Sequence, residues 1–171
     1  MVFFYRQIDS LPKEEAKIPD GLRVRVRRPA SYVEGMSEMN LGRRMNELYS
    51  RQTFRSKGLL RTFKEFDLMR GDKILCKALL ISKIPEYEFL PSDGVHLCYC
   101  ETASDERGKG YYPMLLRHIR ARYPRKDLQM IVYEDNTASI KGIEKAGFIR
   151  YAEGRKTSDG RFVITARYFP E

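Results

Sequence analysis

Hydrophobic residues along this chain follow two different periods. Val95–Thr102 and Leu128–Tyr133 are short apolar runs of the kind that form buried strands. The segment between them has apolar residues three and four positions apart, which is the period of an α-helix. These residues are Leu115, Leu116, Ile119 and Tyr123. The pattern therefore predicts a strand, a helix and a second strand in succession.

Two further patterns extend this prediction toward both ends of the C-terminal part. An apolar run predicts a strong strand over Ile74–Ile81. The chain closes with two strand-like runs, Phe148–Ala152 and Phe162–Phe169. The turn residues Asp159 and Gly160 lie between these runs, so a β-hairpin is expected there.

The N-terminal part has weaker patterns. Either Val2–Ile8 or Leu22–Arg28 is expected to supply the first strand, and the second of these alternates apolar residues with arginines. Residues 31–49 carry a helical stripe of apolar positions, and Leu59–Met69 is a second candidate helix. No repeats, low-complexity tracts or linkers interrupt the chain, so we predict a single domain over residues 1–171.

The most specific signal lies between the first predicted strand of the central part and its helix. Residues 107–113 read Arg-Gly-Lys-Gly-Tyr-Tyr-Pro. Pro113 is tolerated in the first turn of a helix, and the glycines let a ligand approach the backbone closely. The helix N-terminus, its dipole and the cations Arg107 and Lys109 converge on one spot. We therefore expect this loop to bind a phosphate group.

Two familiar phosphate loops do not fit the spacing. The P-loop needs Gly-x-x-x-x-Gly-Lys-Ser/Thr, which this chain lacks, and the dinucleotide fingerprint would need a glycine at Pro113. A second informative segment, residues 136–148, follows the next predicted strand. Asp135 or Asn136 suits the N-cap of a helix there, and Gly147 suits a left-handed C-cap.

Together these two segments resemble the coenzyme A segments of the GCN5-related N-acetyltransferases, the GNAT superfamily. In that family Arg/Gln-x-x-Gly-x-Gly/Ala links a central strand to a helix. Arg107 and Gly110 match this motif, whereas Tyr112 stands where a small residue is usual. The second segment is similar to the family's asparagine-started helix with its terminal Gly-Phe. Gly142 inside this helix costs about 1 kcal/mol relative to alanine, so we expect a packing reason or a close ligand.

The resemblance covers about residues 73–153 and implies a fold, a cofactor and a set of binding residues. The implied fold class is α/β (mixed α+β), with a twisted mixed central β-sheet and helices on both faces. The implied cofactor is acetyl-CoA, held by residues 73–153, while residues 1–72 are expected to shape the acceptor site. The residues expected to contact coenzyme A are Thr102, Ala103, Arg107, Gly108, Lys109, Gly110, Tyr111, Tyr112, Asn136, Ser139 and Lys145.

The implied chemistry is direct acyl transfer from a thioester to a primary amine. Such a site needs backbone amides at the thioester carbonyl, a base for the amine and an acid for the leaving thiolate. In the family a central strand separates from its neighbour and exposes these amides, which is expected here at residues 100–103. Glu101 is the candidate base, and an ordinary salt bridge is the alternative role for its carboxylate.

The acid is the point at which this chain departs from the family. The family's frequent acid is a tyrosine seven positions after the asparagine, and this chain has Ile143 there. Tyr133 is the candidate substitute, with Tyr111, Tyr112 or solvent as alternatives. The leading expectation is an N-acetyltransferase acting on a small-molecule or protein amine. A noncatalytic domain of the same fold that binds coenzyme A or a partner is the rival.

His96, Cys98 and Cys100 alternate, so an unbulged strand would place all three on one face. A zinc site or a thiol nucleophile is conceivable there. No fourth ligand is apparent, and cysteine is a common small core residue, so we expect no metal. With Cys76, the cysteines form neither a CxxC pair nor a disulfide framework, which indicates reduced thiols.

Composition and charge narrow the class of protein. Hydrophobic residues make up 42% of the chain, which is too many for a disordered protein. The opening apolar run is too short for a signal peptide and no run reaches membrane-spanning length, so a cytoplasmic location is expected. The net charge of +9 supports a lesser alternative, an RNA-binding module or a tRNA-dependent transferase. No nucleic-acid fold signature accompanies the charge, and coenzyme A is itself an anion that such a field attracts.

Overall fold

The computed structural model describes residues 1–7, 12–27, 64–82 and 89–168. These residues form eight strands, two α-helices and two short 3-10 helices. The strands are β1 (Val2–Arg6), β2 (Arg23–Arg27), β3 (Lys64–Arg70), β4 (Lys73–Ser82), β5 (Val95–Thr102), β6 (Leu128–Tyr133), β7 (Ile149–Lys156) and β8 (Phe162–Arg167). The helices are α1 (Tyr111–Arg122) and α2 (Thr137–Lys145), and the 3-10 helices are Lys13–Ala16 and Ser104–Glu106.

All eight described strands belong to one sheet. Their order is β2-β3-β4-β5-β6-β1-β7-β8. Neighbouring strands are antiparallel except β5 and β6, which run parallel, so the sheet is mixed as the resemblance implied. Helix α1 makes the crossover between β5 and β6, because two parallel strands cannot be joined by a tight turn.

The sheet buries apolar residues on both faces. Leu115, Leu116 and Ile119 of α1 are fully buried in one core cluster, and Ile143 of α2 lies in the same cluster. This cluster also receives apolar side chains from β3, β4, β5 and β6. A smaller cluster, centred on Phe4, joins β1 to β7. Both described helices thus pack in one core, while the predicted helix over residues 31–49 lies outside the described residues.

Most elements predicted for the central part are confirmed. The predicted strands Val95–Thr102 and Leu128–Tyr133 match β5 and β6, and the strand predicted over Ile74–Ile81 is β4. The C-terminal hairpin is β7 and β8. Both candidates for the first strand are strands, β1 inside the sheet between β6 and β7, and β2 at one edge.

The prediction of a helix over Leu59–Met69 is wrong for the part that the structure describes, because residues 64–70 form strand β3. Phe66 and Leu68 alternate with charged residues, and their side chains are fully buried in the core. Between them Asp67 is also fully buried, on the opposite side of the strand. Its carboxylate pairs with Arg25 at 2.9 Å, so the arginine face of β2 forms ion pairs across the sheet. The alternation of buried residues and the ion pairs between strands therefore decide that this segment is a strand, although its apolar residues also have helical spacing. Residues 59–63 lie outside the described residues.

Candidate active site

Strands β5 and β6 are hydrogen-bonded to each other over only a short distance. The parallel ladder joins Val95 with Leu128 and His96 with Gln129. Farther along, β5 continues beside β4 as far as Thr102, and β6 continues beside β1. We call the part of these strands beyond that ladder the β5–β6 opening. It begins at residue 97, three positions before the predicted start at residue 100.

A β-bulge shapes β5 inside this opening. Lys77 pairs with Glu101 and Leu79 pairs with Cys98, so Tyr99 and Cys100 together face a single residue of β4. Tyr99 has a φ of 47°, which is the left-handed region that non-glycine residues seldom adopt. The bulge lies between Cys98 and Cys100 and therefore interrupts the alternation on which a shared face with His96 depended.

His96 lies at the end of β5 that is hydrogen-bonded to β6, which we call the closed end, and its side chain is buried. Its Nδ1 lies 3.1 Å from the carbonyl oxygen of Gln129, and its ring packs edge-on against Phe89. Burial lowers the pKa of His96 from 6.5 to about 4, so the ring is neutral at physiological pH. No group of three or more potential metal ligands occurs among the residues that the structure describes.

The glycine loop follows β5 and leads into α1. Gly108 and Gly110 have φ angles of 78° and 82°, a conformation that favours glycine. A Cβ built at either position would meet no atom within 4 Å, so the space above the loop is open. No side chain of the described residues caps α1 and its first turn has no acidic residue. The loop therefore presents backbone amides and the positive end of a helix dipole to an approaching anion.

The loop's two cations differ in their surroundings. The Lys109 ammonium bonds to Glu106 at 2.9 Å, and Lys73 bonds to the same carboxylate at 2.8 Å. These bonds lower the pKa of Glu106 to about 2, so Lys109 is held by a permanent anion. Arg107 is exposed, and its Nε donates to the carbonyl oxygen of Thr102 over 3.4 Å. Arg107 is thus the loop cation more available to a phosphate.

The adjacent tyrosines of α1 point to different places. Tyr111 is buried, and its hydroxyl accepts a hydrogen bond from Arg70. Tyr112 lies over α2, where a Cβ built at Gly142 would come within 2.4 Å of the tyrosine ring. Sequence analysis left a packing reason or a close ligand open for Gly142, and the ring of Tyr112 supplies a packing reason.

Helix α2 is fixed at both ends. Asn136 caps its start, because its Oδ1 accepts a hydrogen bond of 3.1 Å from the amide of Ser139. At the other end Gly147 is left-handed, as predicted, with a φ of 82°. The buried Arg120 of α1 donates to the carbonyl of Ala146 over 2.6 Å. Sequence reasoning missed Arg120, because a basic residue in the last turn of a helix normally indicates only dipole compensation.

The predicted binding residues Thr102 and Ala103 lie at the end of β5, and Lys145 lies at the far end of α2. The hydroxyl of Thr102 donates to the Cys76 sulfur over 3.4 Å, and the amide of Ala103 donates to the Leu75 carbonyl over 3.0 Å. Thr102 and Ala103 are therefore held by β4. Lys145 lies at the end of α2, about 13 Å along the helix axis from Asn136.

The candidate base belongs to a row of charged residues across four strands. Glu101 lies opposite Lys77 in the register, followed by Asp67 and Arg25. Such neighbours have Cβ atoms about 5 Å apart. Burial raises the pKa of Asp67, because the carboxylate is removed from water. Glu101 thus stands at the end of this row nearest the β5–β6 opening.

The candidate acid Tyr133 lies at the end of β6 and is 49% exposed. Its carbonyl accepts a hydrogen bond of 3.0 Å from the amide of Asn136, so it is part of the turn into α2. Ile143, at the position where the family has a tyrosine, is only 1% exposed and belongs to the hydrophobic core. The side chain at this position is therefore used for packing.

The fold is that of the GCN5-related N-acetyltransferases. The chain is similar to an acetyltransferase of the GNAT family from Colwellia psychrerythraea, with a TM-score of 0.57 and 14% identity over 87% of this chain and 52% of that one. It is similar to a GCN5-related N-acetyltransferase-like protein from Streptococcus suis, with a TM-score of 0.53 and 16% identity over 88% of this chain and 58% of that one.

In a third solved structure, the similarity extends over nearly the whole length of the other protein. This is AAC(6')-Ib in complex with paromomycin and acetyl-CoA, with a TM-score of 0.53 and 16% identity over 85% of this chain and 92% of that one. By contrast, the chain spans about half the length of the Colwellia protein. No protein-family model matches the sequence. No curated protein matches it either. In the part of the chain that is described, no helix is long and apolar enough to cross a bilayer.

Proposed function

We propose that this protein is an acyl-CoA-dependent N-acyltransferase that transfers an acetyl group from acetyl-CoA to a primary amine. The observation that carries the proposal is the position of the β5–β6 opening. The ladder between the strands ends after His96, and the glycine loop follows the far end of β5 after the short 3-10 helix Ser104–Glu106. A thioester-bearing chain can therefore extend along the strand from a phosphate held at the loop.

In this proposal the loop holds the cofactor's phosphates through the amides at the start of α1 and through Arg107. Asn136 and Ser139 at the start of α2 form the opposite wall. Backbone amides at the end of β5 stabilise the negative charge that develops on the thioester oxygen. The amine attacks the carbonyl carbon while Glu101, directly or through water, accepts its proton. The protein thus supplies binding, charge stabilisation and proton transfer.

The first test is binding and turnover with the wild-type protein. Isothermal titration with coenzyme A and acetyl-CoA should show binding at one site. A ligand at 100 times its Kd should raise the free energy of unfolding by about 2.7 kcal/mol, which thermal shift detects. A thiol-release assay across a panel of small amines and amine-bearing peptides then identifies turnover. No binding at millimolar coenzyme A would contradict the proposal.

Arginine variants locate the phosphate. Arg107→Ala should weaken coenzyme A binding about tenfold, because it removes one charge-assisted hydrogen bond. Arg117→Ala is the control, since Arg117 lies in the helix that follows the loop, α1, and donates instead to the carbonyl of Lys145 over 3.2 Å. Lys109→Ala should have a smaller effect than Arg107→Ala, because Glu106 already holds Lys109. Equal losses at Arg107 and Arg117 would place the phosphate elsewhere.

One observation favours a second candidate function. Ile143 packs in the core where the family has its acid, so the fold could serve as a noncatalytic domain that binds coenzyme A. The two functions differ in one measurement. Binding of coenzyme A without thiol release for any amine would support the noncatalytic domain, whereas thiol release that depends on an amine would exclude it.

A further inference from the structure

The turn between β3 and β4 carries two cations that reach the glycine loop. Arg70 ends β3, Lys73 begins β4, and the two residues pair across the turn. One carboxylate oxygen of Glu106, just before the loop, lies 2.8 Å from the Lys73 ammonium and 3.7 Å from the Arg70 guanidinium. The other oxygen lies 2.9 Å from the ammonium of Lys109, which belongs to the loop itself. We call Glu106 and these three cations the turn–loop cluster.

The turn–loop cluster has more positive than negative charge around it. Asp105 also pairs with Lys73, so three cations share two carboxylates. The acidic residue of the turn, Asp72, pairs with Arg23 at 3.4 Å instead. Like charges that are held close together repel one another, and an added anion offsets that repulsion. The cluster therefore has an electrostatic reason to bind one more anion.

The cations of the cluster remain accessible, although the carboxylate that gathers them is buried. The side chain of Glu106 is 5% exposed, whereas those of Arg70, Lys73 and Lys109 are 52%, 47% and 51% exposed. Arg70 also donates to the hydroxyl of Tyr111, which orients the guanidinium without neutralising it. Ammonium and guanidinium groups have three and five N–H donors, so each cation can bind a further acceptor. The cluster is thus an exposed, preassembled group of donors.

We propose that the turn–loop cluster binds the 3′-phosphate of coenzyme A, and that it makes the protein prefer coenzyme A to acyl carriers that lack this group. The inference rests on the proposed acyltransferase function. Coenzyme A has a diphosphate on the 5′ oxygen of its ribose and a phosphate monoester on the 3′ oxygen of the same ribose. A diphosphate at the start of α1 leaves the monoester one sugar away, and Lys109 of the cluster lies in the same loop. A phosphate monoester carries about two negative charges at pH 7, which suits a cluster with excess positive charge.

The first test uses coenzyme A and 3′-dephospho-coenzyme A, which differ only in the 3′-phosphate. In isothermal titration the wild type should bind coenzyme A about tenfold more tightly, because several exposed ion pairs act together. Lys73→Met removes one ammonium and keeps a long side chain, so it should reduce this preference about two- to fivefold. Lys156→Met is the matched control, because it removes the same charge from β7, four strands away from β4 in the sheet. It should leave the preference unchanged.

A second variant tests the opposite sign. Asp105 is 64% exposed and competes with a phosphate for Lys73, so Asp105→Asn should raise the preference for coenzyme A about twofold. Circular dichroism checks that both variants keep the fold. A purely structural cluster, which only ties the turn to the loop, would gain nothing from this change.

Three results would overturn the assignment. Equal affinity of the wild type for the two ligands, or a preference that neither variant changes, would do so and leave the acyltransferase proposal intact. Equal losses for both ligands in Lys73→Met would show that the cluster only holds the loop in place. If the wild type binds neither ligand, the proposed function falls and this assignment falls with it.

Discussion

The two ends of β5 differ in their pairing with neighbouring strands and in their burial. At the closed end, Val95 and His96 pair with β4 on one side and β6 on the other, and both side chains are buried. At the open end the strand is bulged, the ladder to β6 has ended, and residues 99–102 are only partly buried. The same strand therefore serves as a core element and as one wall of the candidate site.

The difference shows where this fold can tolerate irregular backbone. A left-handed tyrosine costs about 1–2 kcal/mol, which is acceptable when the rest of the strand is held on both sides. The closed end stabilises the strand, because it buries a neutral histidine and apolar residues in the core. We therefore expect changes at the open end to affect turnover and changes at the closed end to affect stability.

The largest expected effect belongs to the open end. Glu101→Gln should lower kcat by a factor of about a hundred to ten thousand, because a positioned base contributes that much. Coenzyme A affinity, measured by titration, should stay nearly unchanged, since the base acts on the amine. Glu65→Gln is a control on the same face of the sheet, where Glu65 pairs with Arg27 at 2.8 Å. Unchanged kcat in Glu101→Gln would show that Glu101 is not the base. The expectation that changes at the open end of β5 affect turnover would then lose its main support.

At the closed end, acid should unfold the protein through His96. The pKa of His96 is about 4 in the folded protein and about 6.5 in the unfolded chain. The neutral ring therefore adds stability that is complete above pH 6.5 and is lost as the pH falls from 6.5 to about 4. The loss amounts to about 3 kcal/mol in the free energy of unfolding. Urea denaturation of wild type and His96→Gln between pH 7.5 and 4 measures it as the difference in pH dependence. Parallel curves would mean that the closed end does not hold a neutral histidine. His118, whose pKa is also lowered by burial, remains in both proteins and cancels.

The smallest effect should appear at the boundary between the two ends. Tyr99→Asn should be more stable than Tyr99→Val by about 1 kcal/mol, because asparagine tolerates the left-handed region and a β-branched residue does not. At Cys98, one position nearer the closed end, the order should reverse, since valine is the better strand residue. The midpoints of urea denaturation of the four variants measure both stability differences. Valine preferred at both positions would mean that the bulge is not a fixed feature of β5.

Local signals explain what the sequence could predict. β5, β6 and the glycine loop are read from adjacent residues, and Asn136 caps α2 through a contact three residues away. The helix prediction over Leu59–Met69 failed because Asp67 finds its partners on β2, far away in the chain. The interlocking of Tyr112 with Gly142 is also a contact between separate elements. No pattern along the chain contains it, although an isolated glycine within a helix indicated that some such contact existed.

The position of the first strand has a consequence for biosynthesis. β1 is translated before every other described strand, yet it lies between β6 and β7 in the sheet. Val2 pairs with residues 133 and 154, so the apolar segment Val2–Tyr5 has no place in the sheet until most of the chain has left the ribosome. At about 5–20 residues per second this wait lasts many seconds, during which an unpaired hydrophobic strand invites aggregation. Folding that depends on such distant pairings is slow. The yield of folded protein should therefore respond to chaperones that bind nascent hydrophobic segments.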